Sequence, residues 1–183
     1  MITQFMLRQR PVSQLLICAL LVATIYVAAT FRLDFLLGTS SFWNNPQGPW
    51  LNDPGDLTNN ADMLGAIAGY FTYAQGPWRL PLFLVPALAP PAGTSGIYLD
   101  FVPIVALPGK LLTIATGRLI NPYGVWIGFA FLANAVAATW LVALAGQRNL
   151  LAMLLASVLA LSAPPLLHRF GHLALLGMAR QSA

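Results

Sequence analysis

From Tyr123 to Ala145 the chain runs 23 residues without a charged side chain. At 1.5 Å of helical rise per residue, about 20 apolar residues cover the ~30 Å hydrocarbon core of a bilayer. Few positions in a water-soluble fold accept a segment so long and so free of charge. Val12–Phe31 repeats the pattern, bracketed by Arg8 and Arg10 before it and by Arg32 after it. A cleaved secretory leader has a shorter apolar stretch, about 7–15 residues, followed by a small-x-small cleavage site. Ala28-Ala29-Thr30-Phe31-Arg32 makes only a passable site, so Val12–Phe31 reads as an uncleaved membrane helix. Composition agrees, with 58% hydrophobic and 8% charged residues against roughly 25% charged in soluble domains. Mean hydropathy is +0.72.

Two further runs complete the expected set of crossings. Ile97–Thr116 is the second, with Pro103 and Pro108 expected to bend it. Tyr123–Ala145 is the third. Leu150–Leu167 is the fourth, broken near its end by Pro164-Pro165, and residues 168–183 form a weakly amphipathic tail. Residues 32–96 differ in kind. They hold four of the five Asp, many Pro and Gly, and turn-forming strings such as Asn52-Asp53-Pro54-Gly55-Asp56. Within them Met63, Leu64, Ile67, Tyr70, Phe71 and Ala74 recur at helical spacing. That spacing predicts a surface helix over 61–75, too polar to cross, for which Asn59 and Asp62 make a weak capping-box analogue. Leu80–Pro91 carries four prolines and reads as a second surface or re-entrant piece. The fold expected is therefore an all-α membrane protein. It has about four transmembrane helices and a large loop, with surface helices, between the first and second.

Sidedness follows from the cations, since Lys and Arg accumulate on the cytoplasmic face. With the N-terminus inside, Arg8, Arg10, Lys110, Arg118, Arg169 and Arg180 fall inside and Arg32, Arg79 and Arg148 outside. This places the Asp-bearing loop outside, provided that 80–91 does not cross. The +4 net charge comes without a basic cluster to track phosphates, so no nucleic-acid partner is expected. Cys18 is the single cysteine and sits inside an apolar run. It reads as a small apolar residue rather than a ligand.

Charged residues in or beside membrane segments are expensive and are functional candidates by default. Asp34 follows the first helix and has a simpler reading as the partner of Arg32. Asp53 and Asp56 flank a Pro-Gly turn, and turn chemistry accounts for one of them more readily than for both. Asp62 reads as a helix-start residue. Asp100 and Lys110 lie on the second apolar run, about 15 Å apart along a helix axis, too far to pair. Lys110 can snorkel or meet a lipid phosphate. His168 and His172 share one helix face, but with no Asp, Glu or Cys nearby no metal site is expected. Arg169 beside them suits a phosphate or headgroup.

The ordered series Pro54-Gly55-Asp56, Gly69-Tyr70-Phe71-Thr72-Tyr73, Gly76-Pro77-Trp78-Arg79-Leu80-Pro81-Leu82 and Ser95–Ile104 precedes Lys110, and Asn121–Trp126 and Arg169-Phe170-Gly171-His172-Leu173 follow. In this order it resembles the start of GT-C membrane glycosyltransferases, including bacterial GT-C-like proteins without an assigned reaction. The resemblance implies transfer of a sugar from a polyprenyl-phosphate donor, at the outer face of a bacterial inner membrane, with the N-terminus cytoplasmic. It assigns Asp56, or else Asp34, as the carboxylate that deprotonates the acceptor. Asp53, Arg79, Asp100, Lys110, Arg169 and His172 become substrate-binding residues. Use of a divalent metal stays open. GT-C enzymes have many more helices, so the chain looks like the N-terminal portion of such an enzyme. The alternatives are a non-catalytic subunit or remnant that packs on a membrane-protein partner, and a transporter module. The last is disfavoured because Lys110 is nearly the only ionisable group within the spans.

Overall fold

The computed structural model describes residues 10–40, 61–99 and 101–163. In chain order these form α1 (Val12–Thr30), a short α2 (Leu33–Leu36), α3 (Ala61–Gln75), β1 (Leu84–Val85) and β2 (Thr94–Ser95). A 3-10 turn (Gly96–Leu99), α4 (Pro103–Thr116), α5 (Tyr123–Leu144) and α6 (Leu150–Leu161) follow. The described residues are mostly helical, and two helices, α1 and α5, are long and apolar enough to cross a membrane. They divide into two compact units. One is built on α1, on α5 from Gly128 onward and on α6; the other spans Phe31–Ile127.

In the first unit, α1 buries Leu15, Ala19, Ala23 and Val27, one residue every helical turn. Leu15 and Ala19 pack against Met153 of α6, with Cys18, Leu150 and Leu154 around them. Small residues let helix backbones approach closely, and packing of this kind holds helices together where lipid removes the hydrophobic drive. The Thr139 and Ser157 hydroxyls meet at 3.0 Å and join α5 to α6. Asn149 caps α6 by accepting from Ala152 N at 2.8 Å.

Directions follow from these contacts. Arg10 N donates to Arg148 O at 2.7 Å, so α1 and α6 start at the same end and run parallel. Tyr26, late in α1, stacks on Phe131, early in α5, with centroids 5.9 Å apart, so α5 runs antiparallel to α1. This overturns the expected charge split. Arg148 shares the end of Arg10, whereas the expected topology put the two on opposite sides.

In the second unit the start of the loop meets the start of α5. Gly124 has no room for a side chain, because the Phe35 and Leu36 carbonyl oxygens occupy the place of a Cβ. Gly38, in a left-handed backbone at φ +73°, lies against the Asn121 carbonyl. Loop start and α5 start therefore pack together.

The expected second span also begins later than its hydropathy suggests. Val102 is extended and Pro103 opens the helix, because a proline drives the residue before it out of the helical region. Gly117 ends the helix in the left-handed region, leaving 14 residues, about 21 Å. Helix α6 has 12 residues in the described part, while its expected continuation past Pro164 lies outside it, as does the Asn59 cap.

Residues 61–75 form the expected helix, and 80–91 is not helical. Its prolines leave turns and a two-stranded hairpin instead, with Leu84 opposite Ser95 and Val85 opposite Thr94.

Candidate functional site

Two polar sites emerge in the second unit, both at helix ends. The first follows α1 directly. Arg32 Nε lies 3.0 Å from Asp34 Oδ1 and its Nη2 lies 3.2 Å from Oδ2, a two-pronged ion pair. Phe35 N also donates to Oδ1 at 3.0 Å, placing the carboxylate at the first turn of α2. The hydrogen bond from Arg32 chiefly holds the Asp34 carboxyl below the usual carboxylate range, while desolvation pulls the other way. Arg32, Leu33, Asp34, Leu37 and Thr39 line an open hollow of 520 Å³. Asp34 thus has the partner its position suggested, and it also faces a space able to take a ligand group.

The second site surrounds Lys110, which is 1% exposed. Its Nζ donates to Tyr73 O at 2.8 Å, to Gly76 O at 2.9 Å and more distantly to Pro77 O at 3.5 Å. The last carbonyls of a helix have no partner within it, and Lys110 supplies donors where α3 ends. The ammonium also lies 4.2 Å from the Tyr73 ring centroid and 4.6 Å from that of Trp78, within range of a cation–π attraction. Tyr73 stacks on Phe101 at 5.2 Å, and Phe83 closes the cluster against both rings.

A neighbouring network completes the contact of α3 with α4. The Tyr70 hydroxyl donates to Ile120 O at 2.8 Å. Gly109 leaves the room that this hydroxyl needs. The Thr113 hydroxyl donates to Gly109 O and accepts from Ile120 N. Burial pushes the Tyr70 hydroxyl up to about 12, with a smaller opposing effect of Thr113.

Of the site residues expected from the sequence, Asp34, Arg79 and Lys110 are described. Arg79 is exposed. Among the described residues, no hydrogen bond or ion pair joins Asp34 to Arg79 or Lys110. The three donors of Lys110 point at backbone carbonyls, an arrangement that positions a helix end. Asp53, Asp56, Asp100, Arg169 and His172 lie outside the described residues. Among the described residues no three His, Cys, Asp or Glu side chains gather as metal ligands.

The aromatic box of Tyr73, Trp78, Phe83 and Phe101 was not legible as a site. Its one signal was Lys110 itself, a cation in an apolar run that had to find partners. Comparison with known families adds one result. The domain of unknown function DUF6311 matches residues 18–179. The chain belongs to this family. The match takes in α1 from Cys18 onward and every later described element of the DUF6311 domain. No curated protein and no solved structure matches the chain.

Proposed function

We propose that this DUF6311 domain is a multi-pass domain of a bacterial inner membrane, crossing with α1 and α5. We propose further that it forms part of a glycosyltransferase that moves a sugar from a polyprenyl-phosphate donor to an acceptor hydroxyl. The observation that carries this reading is the Arg32–Asp34 pair, set in a hollow at the end of a membrane-length helix. A lipid-linked donor keeps its tail in the bilayer and its reacting carbon at the surface, the level where α1 ends. An ionised carboxylate there can take the acceptor's proton. The planar guanidinium beside it is suited to a phosphate oxygen pair. Asp56, in the adjoining loop, is the other candidate for the carboxylate role.

The test is transfer of labelled sugar by membranes containing the full-length protein, using a panel of polyprenyl-phosphate hexoses and pentoses. Asp34→Asn and Asp56→Asn are compared at equal insertion. Loss of a general base lowers the rate by about 10²–10⁴, and an unchanged rate removes that residue from the site. The reading also needs the loop on the non-cytoplasmic face. Labelling of Thr39→Cys by an impermeant maleimide from the cytoplasmic side alone excludes it.

A second reading, a non-catalytic membrane subunit, is favoured by one observation. Lys110, the best-buried cation among the described residues, spends its donors on backbone carbonyls. It is the reading to adopt if no donor supports transfer and a membrane protein copurifies in fixed ratio.

A further inference from the structure

Helix α3 and helix α4 touch in reverse order. Tyr70 reaches Ile120 and the neighbourhood of Gly109, whereas Tyr73, one turn later in α3, stacks on Phe101, which precedes α4. The two helices are therefore the antiparallel arms of a helical hairpin, with Gly76–Val102 as its tip. Both open ends of the hairpin lie toward α5. Tyr70 packs edge-on against Tyr123 at 5.3 Å, and the chain leaves α4 to enter α5 beside Gly38 and Phe35.

The arms contain 15 and 14 residues, about 22 and 21 Å, short of a ~30 Å hydrocarbon core. The tip is apolar on its outside. Leu80 is 88% and Tyr98 85% exposed, and Trp78, Leu82 and Ile97 are exposed with them. Gly96 N donates to Phe83 O at 2.8 Å, which ties the two ends of the β1–β2 hairpin together. Inside, Val85 and Phe101 are buried, so the apolar residues outside are surplus to the core. Ile104, Leu111, Leu112 and Ile114 continue this exposed apolar surface along α4.

We propose that α3, the tip and α4 form an interfacial hairpin that enters and leaves the membrane on one side. Its tip residues Leu80, Leu82, Ile97 and Tyr98 lie in phospholipid. Lipid is the occupant that the chemistry selects. Trp78, Tyr98 and Arg79 are the residue types that settle at the headgroup level, and Leu and Ile those that go below it. Irregular backbone survives at that depth only when its polar groups are satisfied within the protein. Lys110 meets this requirement for the carbonyls of Tyr73 and Gly76. The inference rests on the membrane reading above and is independent of any transfer activity.

The test uses the full chain with Cys18→Ala, reconstituted in phosphatidylcholine vesicles. A polarity-sensitive fluorophore is placed at Leu80→Cys, at Tyr98→Cys or at Leu141→Cys on α5. Lipids brominated near the headgroup are expected to quench the two tip positions strongly, and brominated lipid is expected to quench the exposed α5 position as the control for membrane insertion. Iodide is expected to leave the tip positions bright. If Leu141→Cys is quenched and the tip positions are not, the hairpin proposal fails and the membrane reading stands. If Leu141→Cys also escapes quenching, the membrane reading itself has failed. Labelling of Leu80→Cys from the side of Arg10 and Arg148 overturns the proposal by showing a full crossing. Shielding from both bromolipid and iodide overturns it in favour of a protein cover.

Discussion

Replacing Lys110 with Met removes the ammonium and keeps much of the aliphatic stem. The Tyr73 and Gly76 carbonyls, bonded at 2.8 and 2.9 Å, then lose a charged donor in a buried setting. Each carbonyl left without a donor costs about 1–3 kcal/mol. The two ring contacts contribute about 0.5–2 kcal/mol more. Against this stands relief from holding an ammonium out of water, a penalty of several kcal/mol. The balance expected is a net loss of about 2–4 kcal/mol, concentrated where α3 meets α4. Lys110→Arg is expected to fall short of full rescue, since a planar fork does not reproduce a compact ammonium between the Tyr73 and Trp78 rings. The assay is denaturant unfolding in lipid nanodiscs, paired with limited proteolysis between Gly76 and Val102. Local loosening shows as faster cleavage of the tip while the α1–α6 contact is retained. If Lys110→Met matches the parent in midpoint and in cleavage rate, the clamp contributes nothing, and the argument from carbonyl satisfaction is refuted.

Other outcomes follow from single contacts. Gly124→Ala sets a methyl against the Phe35 and Leu36 carbonyls and is expected to cost about 1–3 kcal/mol by overpacking, read as a lowered melting temperature. Asn149→Ala removes the cap on Ala152 N and is expected to lose about 1 kcal/mol, with Asn149→Ser recovering most of it. Asp34 titrates below the ordinary carboxylate range because of Arg32. The linked stability is present above the unfolded-state value near pH 4 and is lost as pH falls through the lower folded value. Carbon NMR of the carboxyl group, with Arg32→Gln expected to move it upward, checks this. Tyr70 runs the other way, since its folded value is pushed up to about 12. Its stabilising effect is complete below about pH 10 and is lost between there and 12. Ultraviolet titration of the parent against Tyr70→Phe isolates that step.

Much of the helix plan was legible because it depends on local chemistry. The spacing of Ile67, Tyr70, Phe71 and Ala74 marked 61–75, and α3 is Ala61–Gln75. Uncharged runs marked α1 and α5 to within one residue at their far ends. The start of α4 was misplaced because Ile97, Tyr98, Leu99, Phe101 and Val102 read as part of the apolar run despite Asp100, whereas the backbone obeys Pro103. The course of the chain between α1 and α5 was less legible, for a different reason. It depended on whether 61–102 turns back on itself, and that is decided by contacts between residues 37 and 50 positions apart. The Arg32–Asp34 pair was readable from two neighbouring letters. The partners of Lys110 were not, because backbone carbonyls carry no signature in the sequence.

The distance along the chain between Lys110 and the carbonyls it serves also governs how the protein is made. Gly76 is synthesised 34 residues before Lys110. While the ribosome covers that interval, the end of α3 has no ammonium to receive and no favourable way to settle in lipid. On the hairpin proposed above, the first arm waits at the surface for the second, and the two then enter as one body. Helix α1 needs no such delay, since every backbone bond it makes in the bilayer lies within its own turns. Biogenesis thus has a built-in order, a helix that can insert at once followed by a hairpin that can insert only as a pair.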